Sequence, residues 1–221
     1  MSASTAHRDE SLRITEIFSS VQGESSRIGL PTVFVRLTGC PLRCSWCDTA
    51  YAFQGGQSRS IDDIVSQVQT CGLRNVCVTG GEPLAQKGCL KLLTRLCDAG
   101  FSVSLETSGA LDISEVDARV SCIMDLKAPG SGEVERNRLD NIQHLDERDE
   151  LKFVLADEQD YYWARDMLNT YALTDRCSVL FSPVHESLSA RQLAEWIVRD
   201  RLPVRFQLQL HKVLWQDARG R

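Results

Sequence analysis

The sequence lacks several features that would assign it to a large class of proteins. Residues 1–10 are polar and form no apolar signal segment, and no uncharged run approaches the roughly 18–20 residues that a membrane span needs. An excess of positive charge is also absent, since 25 Lys and Arg against 30 Asp and Glu give a net charge of −5. Nucleic-acid binders usually carry a basic face. These absences predict a cytoplasmic protein that binds neither membrane nor nucleic acid.

The cysteines cannot all pair into disulfides, because there are nine of them. Cys40, Cys44 and Cys47 fall within eight residues, directly after an apolar run at 33–37. Closely spaced thiolates hold iron–sulfur clusters, usually as four ligands, so three ligands would leave one iron open to a small molecule. The spacing also suits a zinc site completed by a distant residue, or ordinary reduced thiols. The remaining six are expected to pack as small apolar side chains: Cys71, Cys77, Cys89, Cys97, Cys122 and Cys177.

Apolar strand patterns alternate with helical patterns along the chain. Strands are predicted at 12–21, 33–37, 75–79, 101–105, 122–126, 151–155, 178–181 and 205–210, helices at 60–69, 90–99, 158–171 and 189–199, and a polar loop at 130–143. This alternation predicts an α/β fold with a parallel sheet and crossover helices. A complete eight-stranded barrel takes about 250 residues. The length of 221 therefore predicts one domain, 1–221 with a flexible tail at 1–11, built as a partial, open TIM-like barrel of about six parallel strands. A flavodoxin-like doubly wound sheet is the alternative.

Polar or glycine-rich segments follow the predicted strands repeatedly. They are the cysteine loop and the segments 79–83, 106–109, 125–127 and 182–185. Reactive residues of parallel barrels gather at the carboxyl ends of the strands, so these segments predict one shared site. Arg36 lies inside an otherwise apolar strand, where an unpaired charge is costly, which predicts a partner or a function for it.

Two motifs carry a resemblance to a known family. The C-x3-C-x2-C loop with Trp46 before its last cysteine, and the sequence Gly-Gly-Glu-Pro at 80–83, together resemble the radical S-adenosylmethionine (SAM) superfamily. The segments 18–24, 34–40, 47–49 and 106–109 and the late pair at 211–212 are similar to the 7-carboxy-7-deazaguanine synthase family. The similarity runs through nearly the whole chain and is weakest at 130–150. It implies a lyase that converts 6-carboxy-5,6,7,8-tetrahydropterin to 7-carboxy-7-deazaguanine with loss of ammonia, in queuosine or 7-deazapurine biosynthesis.

The resemblance also implies the cofactors and their residues. A [4Fe–4S] cluster on Cys40, Cys44 and Cys47 would cleave SAM to an adenosyl radical that takes a hydrogen from C6 of the pterin. Glu82 would accept from the SAM ammonium, Gly81 would let backbone approach its methionine part, and Glu106 would contact its ribose. The family usually has Ser-Pro-Lys where this chain has Asp-Leu-Lys. The other SAM contacts implied are Asp125, Leu126, Lys127, Ser182, Pro183, Val184 and His185.

The substrate and metal contacts follow from the same resemblance. Val21, Gln22 and Gly23 would read the pterin edge, Arg36 would pair with the substrate carboxylate, and Thr79 would line the same pocket. Further contacts are expected from Glu24, Arg27 and His211. Mg²⁺ would bind near the substrate through Thr49, whereas Asp48 is interpreted as a structural turn carboxylate.

The resemblance also implies partners, and two other functions remain open. The family implies a homodimer and an external electron donor of the flavodoxin or ferredoxin type. A glycyl-radical activating enzyme, which acts on a protein and needs no pterin pocket, is the enzymatic alternative. A zinc- or cluster-binding module without catalysis is the alternative from another class, but it leaves the polar strand ends unexplained.

Overall fold

The structure, a computed structural model, describes residues 11–216 and 218–220. This part of the chain contains nine strands and five α-helices. The strands are β1 (Ser11–Val21), β2 (Pro31–Leu37), β3 (Gln57–Ser60), β4 (Asn75–Gly80), β5 (Ser102–Thr107), β6 (Ser121–Asp125), β7 (Glu150–Leu155), β8 (Ser178–Pro183) and β9 (Arg205–Phe206). The helices are α1 (Ile61–Thr70), α2 (Gly88–Asp98), α3 (Glu158–Tyr171), α4 (Ala190–Asp200) and α5 (Leu210–Trp215). None of these helices combines the length and the apolar character needed to cross a membrane.

The strands form one open sheet in the order β3-β1-β2-β4-β5-β6-β7-β8-β9. The strands from β2 to β9 in this order pair in parallel, which confirms the predicted partial barrel of parallel strands. At one edge β1 runs antiparallel to both β2 and β3. This flank differs from the prediction, because β3 is a short polar strand without an apolar pattern.

Local sequence explains where the helices begin. Ser60 caps α1, its hydroxyl accepting a bond from the backbone N–H of Asp63 at 3.1 Å, and Asp157 caps α3 through the N–H of Asp160. The apolar face of α1 has the spacing of a helix packed on a sheet and consists of Ile61, Ile64, Val65 and Val68. All four predicted helices are confirmed, with bounds shifted by at most two residues. The predicted loop at 130–143 contains short 3₁₀ turns but no α-helix or strand.

The expectations for the two ends of the chain have different outcomes. The predicted tail, 1–11, lies outside the described residues except for Ser11, which is the first residue of β1. The predicted strand 205–210 is wrong beyond Phe206, where β9 ends. The side chain of Gln207 turns into the protein and binds both backbone groups of Ser25, and the chain then enters α5 at Leu210. These contacts replace further strand pairing.

Successive residues of the strands face two different environments, as the pleat of a strand requires. In β2, Val33, Val35 and Leu37 are fully buried in the apolar core between sheet and helices. The intervening Phe34 and Arg36 face the inside of the barrel and line a cavity there. The core therefore lies outside the sheet, and the inside of the barrel is left for polar chemistry.

Two segments far apart in sequence join the two sides of the open sheet. Ser25 N–H donates to Oε1 of Gln207 at 2.7 Å, and Nε2 of Gln207 donates to the Ser25 carbonyl at 2.8 Å. Leu210 N–H donates to the Gly23 carbonyl at 2.9 Å. We call this junction of 22–26 with 207–210 the seam. Within the seam, the N–H and the hydroxyl of Ser26 donate to the Glu150 carboxylate at the amino end of β7. These bonds attach the seam to the sheet.

Candidate active site

The three cysteines of the motif line one cavity at the carboxyl end of β2. All three are half-buried and none forms a disulfide. Burial raises the pKa of the Cys40 and Cys44 thiols, whereas the nearby Lys127 ammonium favours their thiolate forms. In the described residues no three His, Cys, Asp or Glu side chains are grouped closely enough to hold a single metal ion. The thiols instead border a wider space, which fits ligands of a multi-iron cluster.

The glycine loop after β4 packs directly on the cysteine loop. Glu82 N–H donates to the Gly39 carbonyl at 2.8 Å, and Gly81 N–H donates to the Leu37 carbonyl at 3.2 Å. A Cβ on Gly81 would lie 2.3 Å from the Gly39 oxygen and 2.7 Å from the Cβ of Cys40. Glycine is therefore required at 81 by contact between the two loops, a cause that the motif alone does not reveal.

Glu82 is fully buried and does not line the cavity. Its carboxylate accepts bonds from Leu84 N–H, from the Thr107 hydroxyl, and from both the N–H and the hydroxyl of Ser108. The carboxylate thus ties the glycine loop to the end of β5, as a buried charge with several donors can do at low cost. Its contact with the SAM ammonium stays a prediction.

A row of four alternating charges crosses the wall of the cavity, from Glu24 through Lys152 and Asp125 to Lys127. Nζ of Lys152 lies 2.5 Å from Oε2 of Glu24 and 3.4 Å from Oδ2 of Asp125, and Nζ of Lys127 lies 3.2 Å from the same Asp125 oxygen. Burial works against the charges of Glu24, Lys127 and Lys152. At Glu24 the Lys152 ammonium, together with His211 and Gln209, outweighs burial and lowers the pKa to about 2. At Lys152 the neighbouring carboxylates raise the pKa well above its usual range. Glu24 is thereby held as a carboxylate, and Lys127 and Lys152 as ammonium groups.

Lys152 is a lining residue that the motifs do not indicate. It lies in β7 between Leu151 and Phe153, so it interrupts an apolar strand just as Arg36 does. A charged side chain in an apolar strand needs a partner or a function, so Lys152 could have been recognised from the sequence in the same way as Arg36.

Glu106 lies between two residues expected to bind substrate. Its Oε1 accepts from Nε2 of Gln22 at 3.3 Å, and its Oε2 accepts from the Thr79 hydroxyl at 3.0 Å. Glu106 was predicted to contact SAM, but its two carboxylate oxygens are bound by Gln22 and Thr79, which were predicted to contact the substrate. It therefore lies between the two groups of predicted contacts.

The rim of the cavity is formed by the end of the cysteine loop and by α5. The Thr49 hydroxyl donates to Oδ1 of Asp48 at 2.8 Å, and Nε2 of His211 and Nζ of Lys212 lie 4.0 and 3.9 Å from Oδ2 of the same carboxylate. A Cβ on Gly23 would lie 2.4 Å from Nδ1 of His211, so α5 packs closely on the predicted pterin-reading segment. Asp48, interpreted from sequence as a turn carboxylate, also links the two sides of the rim.

Most of the predicted site residues are brought to this cavity. Its lining includes Val21, Gln22, Gly23, Arg36, Cys40, Cys44, Cys47, Thr49, Thr79, Gly81, Glu106, Asp125, Lys127, Val184 and His185. Glu24 and His211 also line it, whereas Arg27 binds Ser102 at the amino end of β5. Glu82, Leu126, Ser182 and Pro183 lie behind the lining. The Ser182 hydroxyl is buried without a hydrogen-bond partner among the described residues. Its contact with SAM stays a prediction.

Comparisons with known proteins agree with this arrangement. Residues 34–121 match the Radical SAM superfamily. The 7-carboxy-7-deazaguanine synthase of Chlorobaculum tepidum is 49% identical over 213 residues, covering 95% of this chain and 97% of that protein. That of Koribacter versatilis is 41% identical over 219 residues, covering 92% and 97%. The crystal structure of QueE from Escherichia coli matches at a TM-score of 0.76 and 24% identity, covers 96% of this chain and 100% of its own, and supports the fold.

These similarities extend over almost the whole chain and favour neither alternative, the glycyl-radical activating enzyme or the module without catalysis. Membership of the radical SAM superfamily implies a [4Fe–4S] cluster and SAM, and the three thiols on one cavity fit that cluster. From the cavity, its thiols and these relatives together, we conclude that the chain belongs to the 7-carboxy-7-deazaguanine synthase family of radical SAM lyases.

Proposed function

We propose that this protein converts 6-carboxy-5,6,7,8-tetrahydropterin to 7-carboxy-7-deazaguanine, with loss of ammonia. The observation that supports this most is a single cavity lined by two chemically distinct sets of residues. One set contains the three cysteines and Gly81, and the other contains Gln22 and Arg36. We assign the first set to a cofactor end and the second to a substrate end. A planar heterocycle bearing a carboxylate, bound between them, would lie against the radical source.

Side chains at the substrate end have the groups that a pterin requires. A pterin edge carries both hydrogen-bond donors and acceptors, and Gln22 and the backbone of Val21 and Gly23 offer both kinds of partner. Arg36 supplies a planar guanidinium for the 6-carboxylate. The Thr79 hydroxyl donates to Oε2 of Glu106 at 3.0 Å, and this bond fixes two side chains in the wall of this end.

The remaining lining residues suit the cofactor end. When bound, the cluster and SAM supply a hydrogen-atom abstraction, which the cofactors perform and the protein orients. Cys40, Cys44 and Cys47 would hold the cluster, with Gly81, Lys127 and the other predicted SAM contacts around it. The cavity must exclude water and oxygen during reaction, and α5 at its rim is suited to that role.

We also infer that Mg²⁺ binds at Thr49 together with substrate oxygens. The Thr49 hydroxyl donates a hydrogen bond to Asp48, which leaves the lone pairs of its oxygen free for a cation. Mg²⁺ prefers oxygen ligands and is typically held by few protein groups plus substrate. We further propose a homodimer that works in the cytoplasm and receives its electron from a flavodoxin- or ferredoxin-type donor.

The proposal is tested by anaerobic turnover. Reconstituted protein is supplied with SAM, reductant, Mg²⁺ and 6-carboxytetrahydropterin, and products are identified by mass spectrometry. Cys44→Ala removes a cluster ligand, and Cys71→Ala, at a cysteine outside the motif, is its matched control. We expect 7-carboxy-7-deazaguanine from the wild type and from Cys71→Ala, with 5′-deoxyadenosine well below stoichiometric amounts, and none from Cys44→Ala.

Each other outcome has a distinct meaning. Formation of 5′-deoxyadenosine without a deazaguanine would retain the radical chemistry and reject the pterin substrate. Full turnover by Cys44→Ala would reject the cluster assignment. Equal turnover with and without Mg²⁺, after treatment with a chelator, would reject the role of Thr49.

A further inference from the structure

Arg36, the residue proposed to bind the substrate carboxylate, has a partner that no motif indicates. Its Nε donates to Oε1 of Glu16 at 2.7 Å. Only 16% of the Arg36 side chain and 21% of the Glu16 side chain are exposed, so this pair is shielded from water. It is therefore unlike the surface ion pairs of the chain, which contribute little.

The backbone of β1 places Glu16 opposite Arg36. The pairing of β1 with β2 shifts register between Ile14 and Glu16, and beyond this irregularity Glu16 stands directly across from Arg36. A bulge of this kind re-aims a side chain at a functional site. Gln86 fixes the same stretch, because its amide binds both the N–H and the carbonyl of Arg13.

Tyr51 completes the surroundings of the guanidinium. Its hydroxyl donates to the same Glu16 oxygen at 2.8 Å. The rings of Phe18 and Tyr51 lie 5.8 and 5.9 Å from the guanidinium carbon of Arg36. Burial and the neighbouring Glu16 outweigh Arg36 and raise the pKa of Tyr51 to about 12, so at neutral pH Tyr51 is an uncharged donor.

We propose that Glu16, supported by Tyr51, is the positioning residue that orients Arg36 for the carboxylate of the substrate. The inference rests on the proposed function and deepens it. A guanidinium has five N–H donors in a fixed plane. Glu16 takes the one on Nε, and this fixes the plane of the fork while the two terminal nitrogens remain for a second carboxylate. Because an oriented fork can bind that carboxylate through two parallel bonds, Glu16 would determine selectivity for a carboxylated ring over an uncarboxylated one.

The test measures binding rather than turnover. Equilibrium dialysis of the anaerobic holoenzyme with SAM and Mg²⁺ gives the dissociation constants of two stable ligands, pterin-6-carboxylate and unsubstituted pterin. Their ratio is the carboxylate preference. It is compared in the wild type, Arg36→Lys, Glu16→Ala, Glu16→Gln and Tyr51→Phe. Glu195→Ala, which breaks an exposed ion pair on α4, is the matched control.

We expect the wild type and Glu195→Ala to prefer the carboxylated ligand. Arg36→Lys and Glu16→Ala should each lower that preference by about tenfold, as for the loss of one charge-assisted contact, and the double variant should lose no more than either alone. Glu16→Gln and Tyr51→Phe, which preserve the packing, should lower it by about two- to fivefold, since the first weakens the bond to Arg36 and the second removes the bond from Tyr51. Affinity for unsubstituted pterin should remain unchanged in all of them.

Two contrary results separate the inference from the function on which it rests. A wild type without carboxylate preference would overturn the assignment of Arg36 to the substrate carboxylate. A preference that Arg36→Lys abolishes but that Glu16→Gln and Tyr51→Phe leave intact would overturn the role of Glu16 alone. Equal weakening of both ligands in the Glu16 variants would show a merely structural role and would also overturn it.

Discussion

Lys152→Met tests the row of charges that crosses the cavity wall. The substitution keeps most of the side-chain volume and leaves the buried Glu24 without its closest cation. Lys152 is the strongest of the influences that lower the pKa of Glu24 from 4.5 to about 2. A difference of this size corresponds to about 3 kcal/mol of folding free energy, at about 1.4 kcal/mol for each pKa unit. For a protein of this length that is a fall in Tm of roughly 6–12 °C.

The pH range of the effect follows from its direction. Because the folded protein lowers the pKa of Glu24, the stabilisation is fully present above about pH 4.5 and is lost as the pH falls toward 2. The contribution of ionised Glu24 to wild-type stability should therefore be the same at pH 8 and pH 6, since both values lie well above the titration of this carboxyl group in the wild type. In Lys152→Met, burial is left without its main opponent and raises the pKa of Glu24, so the coupling is measured at pH 8.

The assay is urea unfolding of the anaerobic protein in a double-mutant cycle of Glu24→Gln, Lys152→Met and the double variant. The double variant should be more stable than the sum of the single losses predicts, by about 1.5–3 kcal/mol, because it leaves no uncompensated charge at this pair. Lys87→Met, at an exposed lysine, is the control and should change stability by less than about 0.5 kcal/mol. Additive losses at pH 8 would refute the reasoning.

The other predictions concern single residues. Gly81→Ala should prevent cluster assembly, measured as iron and sulfide per chain, because its Cβ would lie 2.3 Å from the Gly39 oxygen. Gly72→Ala is the control, since a Cβ there meets open space. It should keep the iron and lower the free energy of unfolding by only about 1 kcal/mol, because of its left-handed backbone. Ser60→Ala should lower the free energy of unfolding by about 1 kcal/mol through loss of the α1 cap, with kcat unchanged. The iron content of Cys44→Ala should be far below that of an intact cluster, which is about four irons per chain, and a normal iron content would contradict the ligand assignment.

The regular elements of the parallel sheet could be predicted because their sequences carry the period of the structure. α1 buries residues at helical spacing, and β2 alternates between core and cavity. β3 and α5 carry no such period. β3 is polar throughout and is held by pairing with β1, and α5 is anchored at Leu210 by the Gly23 carbonyl. Their structures depend on contacts that are distant in sequence.

In the active site, too, the sequence predicted some features and distant contacts determined the others. The motifs predicted which loops meet at the cavity, but not which way each side chain turns. Glu82 turns away from the cavity because Thr107 and Ser108 supply donors beneath it. Glu16 could not be chosen from the sequence, because its position depends on a bulge and on the register of two strands. Lys152 could have been found by the argument already applied to Arg36.

The seam has a consequence for how the protein folds during synthesis. Gln207 and Ser25 are 182 positions apart, so their contact closes a loop of nearly the whole chain. Such a loop carries a high entropic cost, and its ends meet late. Synthesis proceeds from the amino end, so the parallel strands up to β8 can form before Gln207 leaves the ribosome. The last step of folding then brings α5 to the rim of the cavity, and a nascent chain would present its thiols to the surroundings until that moment.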